Sequence, residues 1–526
     1  MRRLIVTCIA SCSTLATAAN AAAPQPPYVL AYATRSSTNT ATIYAVRADG
    51  TDRRQLTAGA GLDIPGTWSP DGSRLAYEEV DATGIYTSIY TVGLDGAPAV
   101  GLPGDGYSEN PSWSPDGRWL AYQEQTDYGS GGGRADTTFD LYVSRPDGSG
   151  RARLGSGGVD GSSADWVGQG LGWDWSPDAK RIAFVQPDPG RTDPGSGDSL
   201  ERLAVADLTT GRVVAHAGPL LTPEVSSGWA WSPDGRRLGF VRDDGVRIAV
   251  LDVARRGVIA NLPVAGATVL FAGDHVALSQ SGVGWDWSPD GRSLGIVQSY
   301  PSHRDPHTGH VPLRLAVVDA RTEATWLIPG EVSTRAWDDW SLATADTGWI
   351  WSPDGTRLAL LRAVPGSPVA TALVADTRSR TVRVVGRATE VAWSPDGRVL
   401  ALATSGLAAS CRALRIVDAA NGKASFVAPH TPSTCDDALA WSPDGSTLAF
   451  TRTDGPTQTV FTVARDGSRL RQVTSALPAD SLQWPTQCRR FFSYGDSWII
   501  SDAAGAPHAV GHPSWGDATW TAPRCW

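Results

Sequence analysis

The sequence predicts an all-β chain, a β-propeller of four-stranded antiparallel blades with about ten repeat units, closed by pairing of its N- and C-terminal strands. Three observations predict it. The pentapeptide W-S-P-D-G begins at Trp68, Trp113, Trp231, Trp287, Trp351, Trp393 and Trp441, with an eighth copy, W-S-P-D-A, at Trp175, so that a unit recurs every 42 to 64 residues. A second tight-turn aspartate recurs near Asp49, Asp95, Asp147, Asp207, Asp252, Asp319, Asp376, Asp418, Asp466 and Asp502, which counts ten units. The two ends of the chain each carry part of one unit.

The unit at Trp68 shows how each element arises. Ile64 to Trp68 reads as a short strand A. Ser69-Pro70-Asp71-Gly72 is a tight turn, because Pro presets φ and Gly accepts a positive φ. Strand B, Arg74 to Glu79, is apolar on both faces, as a sheet sandwiched between neighbours requires. Tyr86 to Gly93 is strand C, and Val100 to Leu102 is strand D. Further units begin near Trp113, Trp175, Trp231, Trp287, Trp351, Trp393 and Trp441, and near Trp484 with a degraded turn. Residues 28–57 supply strands B, C and D of a last blade, and the missing strand A is expected at 518–526, which would leave no free sheet edge. Two smaller rings are the alternative to one ring over 28–526.

Arg2-Arg3, the apolar stretch Leu4 to Leu15 and Ala19-Asn20-Ala21 read as a signal peptide over 1–21, followed by a Pro-rich leader over 22–27. Lipoprotein processing at Cys12 would leave almost no apolar region before it. The chain is therefore expected to be secreted or periplasmic, with no transmembrane anchor after signal removal. Of the six cysteines, Cys411, Cys435, Cys488 and Cys525 remain, and an exported compartment favours disulfides. Four cysteines allow three pairings; 411–435 and 488–525 are expected because each pair lies within one or two adjacent repeats. A formal charge of -9 argues against a nucleic-acid partner held by phosphate neutralisation.

W-S-P-D-G-x-x-L-A-[FY], followed by I-Y…D-G…L-T, resembles the β-propeller repeats of the TolB type, a WD-like class, over about residues 28–526. The resemblance implies the fold. It leaves function open, since such repeats occur in exported binding proteins, in assembly scaffolds and beside peptidase domains. This chain departs from TolB in having more units and no separate N-terminal α/β domain.

In a meander blade the A–B and C–D turns lie on one face, and the B–C and D–A loops on the other. The long insertions all fall on the second face: Gln125–Thr138, Gln186–Ser199 and Gln298–Pro312 between B and C, and Gly155–Gly172, Gly266–Gly284 and Pro329–Gly348 between D and A. Function concentrates on loops held by a rigid scaffold, so this face is the expected site for a glycan, or for a protein of the envelope or extracellular space. Its candidates are Trp166 and Trp337-Asp338-Asp339-Trp340, where exposed rings beside carboxylates suit sugars. Trp173, Trp229, Trp285 and Trp349, which open a G-W-x-W variant, read first as a double-Trp packing layer and second as stacking platforms. His303, Asp305, His307 and His310 lie within eight residues and could ligate a transition metal; a metal-dependent lyase or hydrolase is the alternative function, with no catalytic residue assignable otherwise and no other cofactor. A solvated polar loop is the simpler reading of the same residues. The acidic stretch Asp188 to Asp198 reads as a flexible loop. The eight W-S-P-D aspartates read as turn caps. No H-E-x-x-H motif and no Walker loop occurs.

Overall fold

The computed structural model describes most of residues 28–472 and short strands between 481 and 520. Outside the described residues lie 1–27, 521–526 and internal segments, the longest being 128–137, 159–171, 219–228, 264–284, 300–312, 331–348 and 404–413. No described residue is helical, and no helix there is long and apolar enough to cross a membrane.

The described strands form ten four-stranded antiparallel meanders. Eight are separate sheets; the other two, at residues 28–55 and 62–101, share one parallel bridge, Ala41 to Leu62. The Trp68 sheet runs Leu62–Trp68, Arg74–Val80, Thr87–Gly93, Val100–Gly101. Its neighbour takes its first strand from the other end of the chain: Ala518–Trp520 pairs antiparallel with Tyr28–Arg35, in the register Leu30 to Trp520 and Tyr32 to Ala518. A twisted sheet apolar on both faces must be covered on both faces, and the core accordingly lies between sheets. Val241, Ile248 and Val250 of the Trp231 sheet pack on Trp285, Trp287 and Leu294 of the next. Eight such apolar clusters, one at each interface, join nine consecutive sheets from residue 28 to residue 463.

The motif explains this stacking. The residue eight places after each motif Trp is always small: Ala76, Ala121, Ala183, Gly239, Gly295, Ala359, Ala401 or Ala449. A Cβ on Gly239 would lie 2.8 Å from ring carbons of Trp285, and one on Gly295 would lie 2.7 Å from those of Trp349. The position is small because the next sheet's indole lies against it. Most motif indoles also donate a hydrogen bond backwards: Trp113 to the Thr67 carbonyl at 2.9 Å, and Trp231, Trp287, Trp393 and Trp441 at 3.2 Å to the carbonyls of Asp174, Ala230, Ile350 and Ala392. Each acceptor is the residue preceding the previous motif Trp. The repeat thus encodes both a turn and its own attachment to the sheet before it.

The G-W-x-W sector differs in one respect. Its first strands are three residues long, Trp173–Trp175, Trp229–Trp231, Trp285–Trp287 and Trp349–Trp351. Those of the Trp68, Trp113 and Trp441 sheets are six to eight residues long and bulged. The stretch from Asp188 also departs from the flexible-loop reading. Strand Arg181–Thr192 continues into its first five residues, with Thr192 paired to Ser199 and Gly190 at φ 84°; residues 193–198 lie outside the described residues.

Candidate functional site

The turn face is occupied by structure. In all eight motif copies the Ser hydroxyl donates to the Asp carboxylate at 2.6 to 2.7 Å. The same carboxylate accepts the backbone N–H two residues on, at 3.0 to 3.2 Å, for example from Ser73 to Asp71 and from Lys180 to Asp178. Burial opposes ionisation of Asp71, yet the donors Ser69 and Ser73 outweigh it and hold its carboxyl below the usual range. These aspartates cap their own turns, and their lone pairs are engaged there. Gly291-Arg292-Ser293-Leu294-Gly295 spells the G-x-S-x-G pattern of a nucleophile elbow, but no helix follows it. Ser293 opens a strand, pairs with Asp319 and donates its N–H to Ser288.

Trp173, Trp229, Trp285 and Trp349 are 5%, 7%, 0% and 5% exposed, and each sits in an inter-sheet cluster. Rings buried on both sides have no face to offer a ligand, so these four are packing residues and not stacking platforms.

The opposite ends of the strands carry a polar layer that varies from sheet to sheet. Eleven residues after the motif Trp, at the end of strand B, stand Glu79, Glu124, Gln186, Arg242, Gln298, Arg362 and Arg452. Opposite them on strand C are Ser88, Asp140, Arg202, Arg314, Thr371 and Thr459 for all but the Trp231 sheet.

In the Trp113 sheet the layer is an ion-pair network whose carboxylates are buried and whose guanidiniums reach solvent. Glu124 and Asp140, 3% and 4% exposed, face each other across the strands. Arg153 forks onto Asp140, with its second bond at 2.8 Å; Arg151 meets Glu124 at 2.5 Å and lies over the Tyr142 ring at 3.9 Å. Two adjacent buried carboxylates are tolerable because each has its own guanidinium. The Trp441 sheet repeats the device: Asp436, 1% exposed, accepts two bonds from Arg452, at 2.6 and 2.9 Å, and one from the Leu414 N–H at 3.2 Å.

Glu78 has no such partner. It spans the interface to the next sheet and accepts the Asn110 N–H at 2.6 Å. That amide is turned out of its ladder by a bulge where Asn110 takes a φ of 59°. Burial is the largest influence on Glu78 and the nearby Glu109 charge adds to it, so that despite the Asn110 bond its carboxyl is pushed up to about 7. Asp174 and Asp286 are raised to about 6, chiefly by burial and against a backbone bond to the following Trp; Asp174 keeps an exposed face, which tempers the effect there.

Trp166, Trp337, Asp338, Asp339 and Trp340, and the metal candidates His303, Asp305, His307 and His310, lie outside the described residues. Among the described residues no group of three or more His, Cys, Asp or Glu could hold a metal ion. Cys435 is 7% exposed and disulfide-bonded; Cys411, Cys488 and Cys525 lie outside the described residues. The sequence reading missed the polar layer, although aligning the repeats on their Trp exposes it as the eleventh position.

These features define the class: the chain is a β-propeller repeat protein. No protein-family model matches it, and no curated protein does. It is similar in fold to several solved structures. Dipeptidyl peptidase 4 of Porphyromonas gingivalis is 11% identical, at a TM-score of 0.43, over 87% of this chain and 60% of that one, so this chain spans well under the whole of the peptidase. Oligogalacturonate lyase of Vibrio parahaemolyticus is 14% identical, at a TM-score of 0.34, over 64% and 88%. A TolB protein of Agrobacterium tumefaciens is 15% identical, at a TM-score of 0.29, over 53% and 90%. At these identities the likeness is one of fold alone.

Proposed function

We propose that this chain is an exported, TolB-like binding or scaffold protein, a single closed ring of ten blades that takes its ligand on the face carrying the long B–C and D–A loops. The ligand is a glycan or a protein of the envelope or extracellular space. One observation carries the reading. The turn face repeats the same Ser–Asp bond eight times, whereas the loop-face layer changes from Glu79 and Glu124 to Arg242 and Arg362. A repeated scaffold keeps what folding needs and diversifies where a partner is read. Apolar clusters joining nine consecutive sheets from residue 28 to residue 463, together with the pairing of 518–520 on 28–35, support one ring over two. Disulfides 411–435 and 488–525 would fasten the last blades, and non-reducing peptide mapping reads both.

Site-specific photo-crosslinking tests the binding face. A photoreactive residue at Glu79 or Gln298 should capture envelope material, and one at Asp71 or Arg236 should not. Adducts formed only from the turn-face positions would reverse the assignment.

A further inference from the structure

The geometry points to a hinge in the array at the seam between the Trp287 and Trp351 sheets, an inference independent of what the loop face binds. In a repeat array each sheet is held by its neighbours, so stability is close to a sum over seams, and the seam with the fewest directional bonds opens first. Two bonds that recur at other seams are missing from this one.

The first is the bond from the motif indole. Of the seven motif Trp from Trp113 to Trp441, six donate Nε1–H to the preceding sheet: five to a first-strand carbonyl, and Trp175 to the Ser112 hydroxyl at 3.1 Å. The exception is Trp351, whose ring is 6% exposed and whose Nε1–H meets no protein acceptor. By the rule that the others follow, its acceptor would be the Asp286 carbonyl. The ring itself stands in the expected place. A Cβ on Gly295 would lie 3.5 Å from Trp351 Nε1, as one on Gly239 would lie 3.4 Å from Trp287 Nε1. Trp349 stands edge-on to it, with ring centroids 6.5 Å apart at 79°. A buried donor without an acceptor loses its hydration and gains no bond in return.

The second is a guanidinium clip on the turn face. Six places after the motif Trp, Arg181, Arg237 and Arg357 each reach the carbonyl of the next sheet's motif glycine: Gly235 at 3.3 Å, Gly291 at 3.4 Å and Gly397 at 2.9 Å. The Trp287 sheet has Ser293 at this position, too short to reach Gly355. Where other sheets lack the arginine, at Trp119 and Val399, the next indole keeps its bond, from Trp175 and from Trp441. Contact itself is not what differs. The turns touch, since a Cβ on Gly355 would lie 2.8 Å from the Asp290 nitrogen. Leu315, Val317 and Ile328 pack on Trp349, Leu358 and Leu360 as their equivalents do elsewhere.

At the loop-face end a bond does cross the seam: Arg362, at the end of strand B, donates Nη2–H to the Pro329 carbonyl. A bond at the loop-face end, with neither recurrent bond toward the turn face, makes a hinge. The turn-face ends of the two sheets part while the loop-face ends pivot on Arg362 and Pro329.

Maleimide labelling of the full chain, read peptide by peptide by mass spectrometry, tests the hinge. Val250, Val317 and Val374 are equivalent positions, two places before Asp252, Asp319 and Asp376. They are 0%, 6% and 4% exposed, and each packs into the seam with the following sheet. Val317→Cys should label about tenfold faster than Val250→Cys and Val374→Cys, the combined effect of two missing bonds. Ser293→Arg reinstates the clip and should slow Val317→Cys labelling about threefold. Trp351→Phe removes a donor that has no partner and should leave the Val317→Cys rate within about twofold, whereas Trp393→Phe should raise the Val374→Cys rate about three- to tenfold. Thermal unfolding checks that each variant folds, and the three single cysteine variants carry the test if a double variant does not. Labelling of Val317→Cys no faster than at the other two seams, a Ser293→Arg variant that labels as fast as its parent, or a Trp351→Phe acceleration as large as that of Trp393→Phe would each overturn the hinge.

Discussion

Glu78→Gln gives the sharpest check on the energetics of the inter-sheet layer. Glu78 is half-buried, accepts the Asn110 N–H, and has a carboxyl raised from 4.5 to about 7. A carboxyl with a raised folded pKa binds its proton more tightly folded than unfolded. Between about pH 4.5 and 7 the folded state therefore holds more protons, and stability falls as pH rises through that window. The gap corresponds to about 3 kcal/mol at full burial, and the water that reaches a half-buried side chain reduces the expectation to about 2 kcal/mol. Gln keeps an oxygen for Asn110 and removes the titration. Native-state hydrogen exchange at the Asn110 amide, corrected for intrinsic rate, reads the opening free energy of this interface without requiring two-state unfolding of a ten-sheet array. The wild-type value should fall by about 2 kcal/mol from pH 5 to pH 8, and the Glu78→Gln value should stay flat. Parallel pH profiles for the two proteins would refute the assignment of the strain to this carboxyl.

Other substitutions probe separate parts of the scaffold. Gly239→Ala places a methyl 2.8 Å from the Trp285 ring, where overpacking should cost about 1–3 kcal/mol and lower the calorimetric midpoint. Asp436→Ala strands Arg452, which is 13% exposed, and should cost about 3–5 kcal/mol in denaturant unfolding followed by fluorescence; a loss under 1 kcal/mol, on the order of a surface pair, would mean that water reaches the site. Asp71→Ala removes bonds from Ser69 and Ser73 and should cost about 1 kcal/mol while leaving loop-face crosslinking from Glu79 intact. Because the folded carboxyl of Asp71 is lowered, its contribution is present above the unfolded pKa and is lost as pH falls through the folded one.

What the sequence by itself determined is local and repeated. Pro70 and Gly72 dictate a tight turn, Leu75 to Tyr77 is apolar on both faces, and both properties recur with each motif Trp, so strand, turn and sheet follow from short-range sterics and patterning. The terminal strand pairing was also legible, because residues 28–57 carry three strands where every other unit carries four. Tertiary structure alone decided the use of each side chain across an interface. Trp285 and an exposed stacking platform are the same letter in the same pattern, and only Gly239 of the preceding sheet, lying under the ring, makes Trp285 a packing residue. The same holds for Arg452 and Arg242: both stand eleven places after a motif Trp, and only the strands beside them decide that one meets Asp436 and the other Asn261. Burial and pairing are properties of what another sheet brings to the contact, and a pattern read along one strand does not contain them.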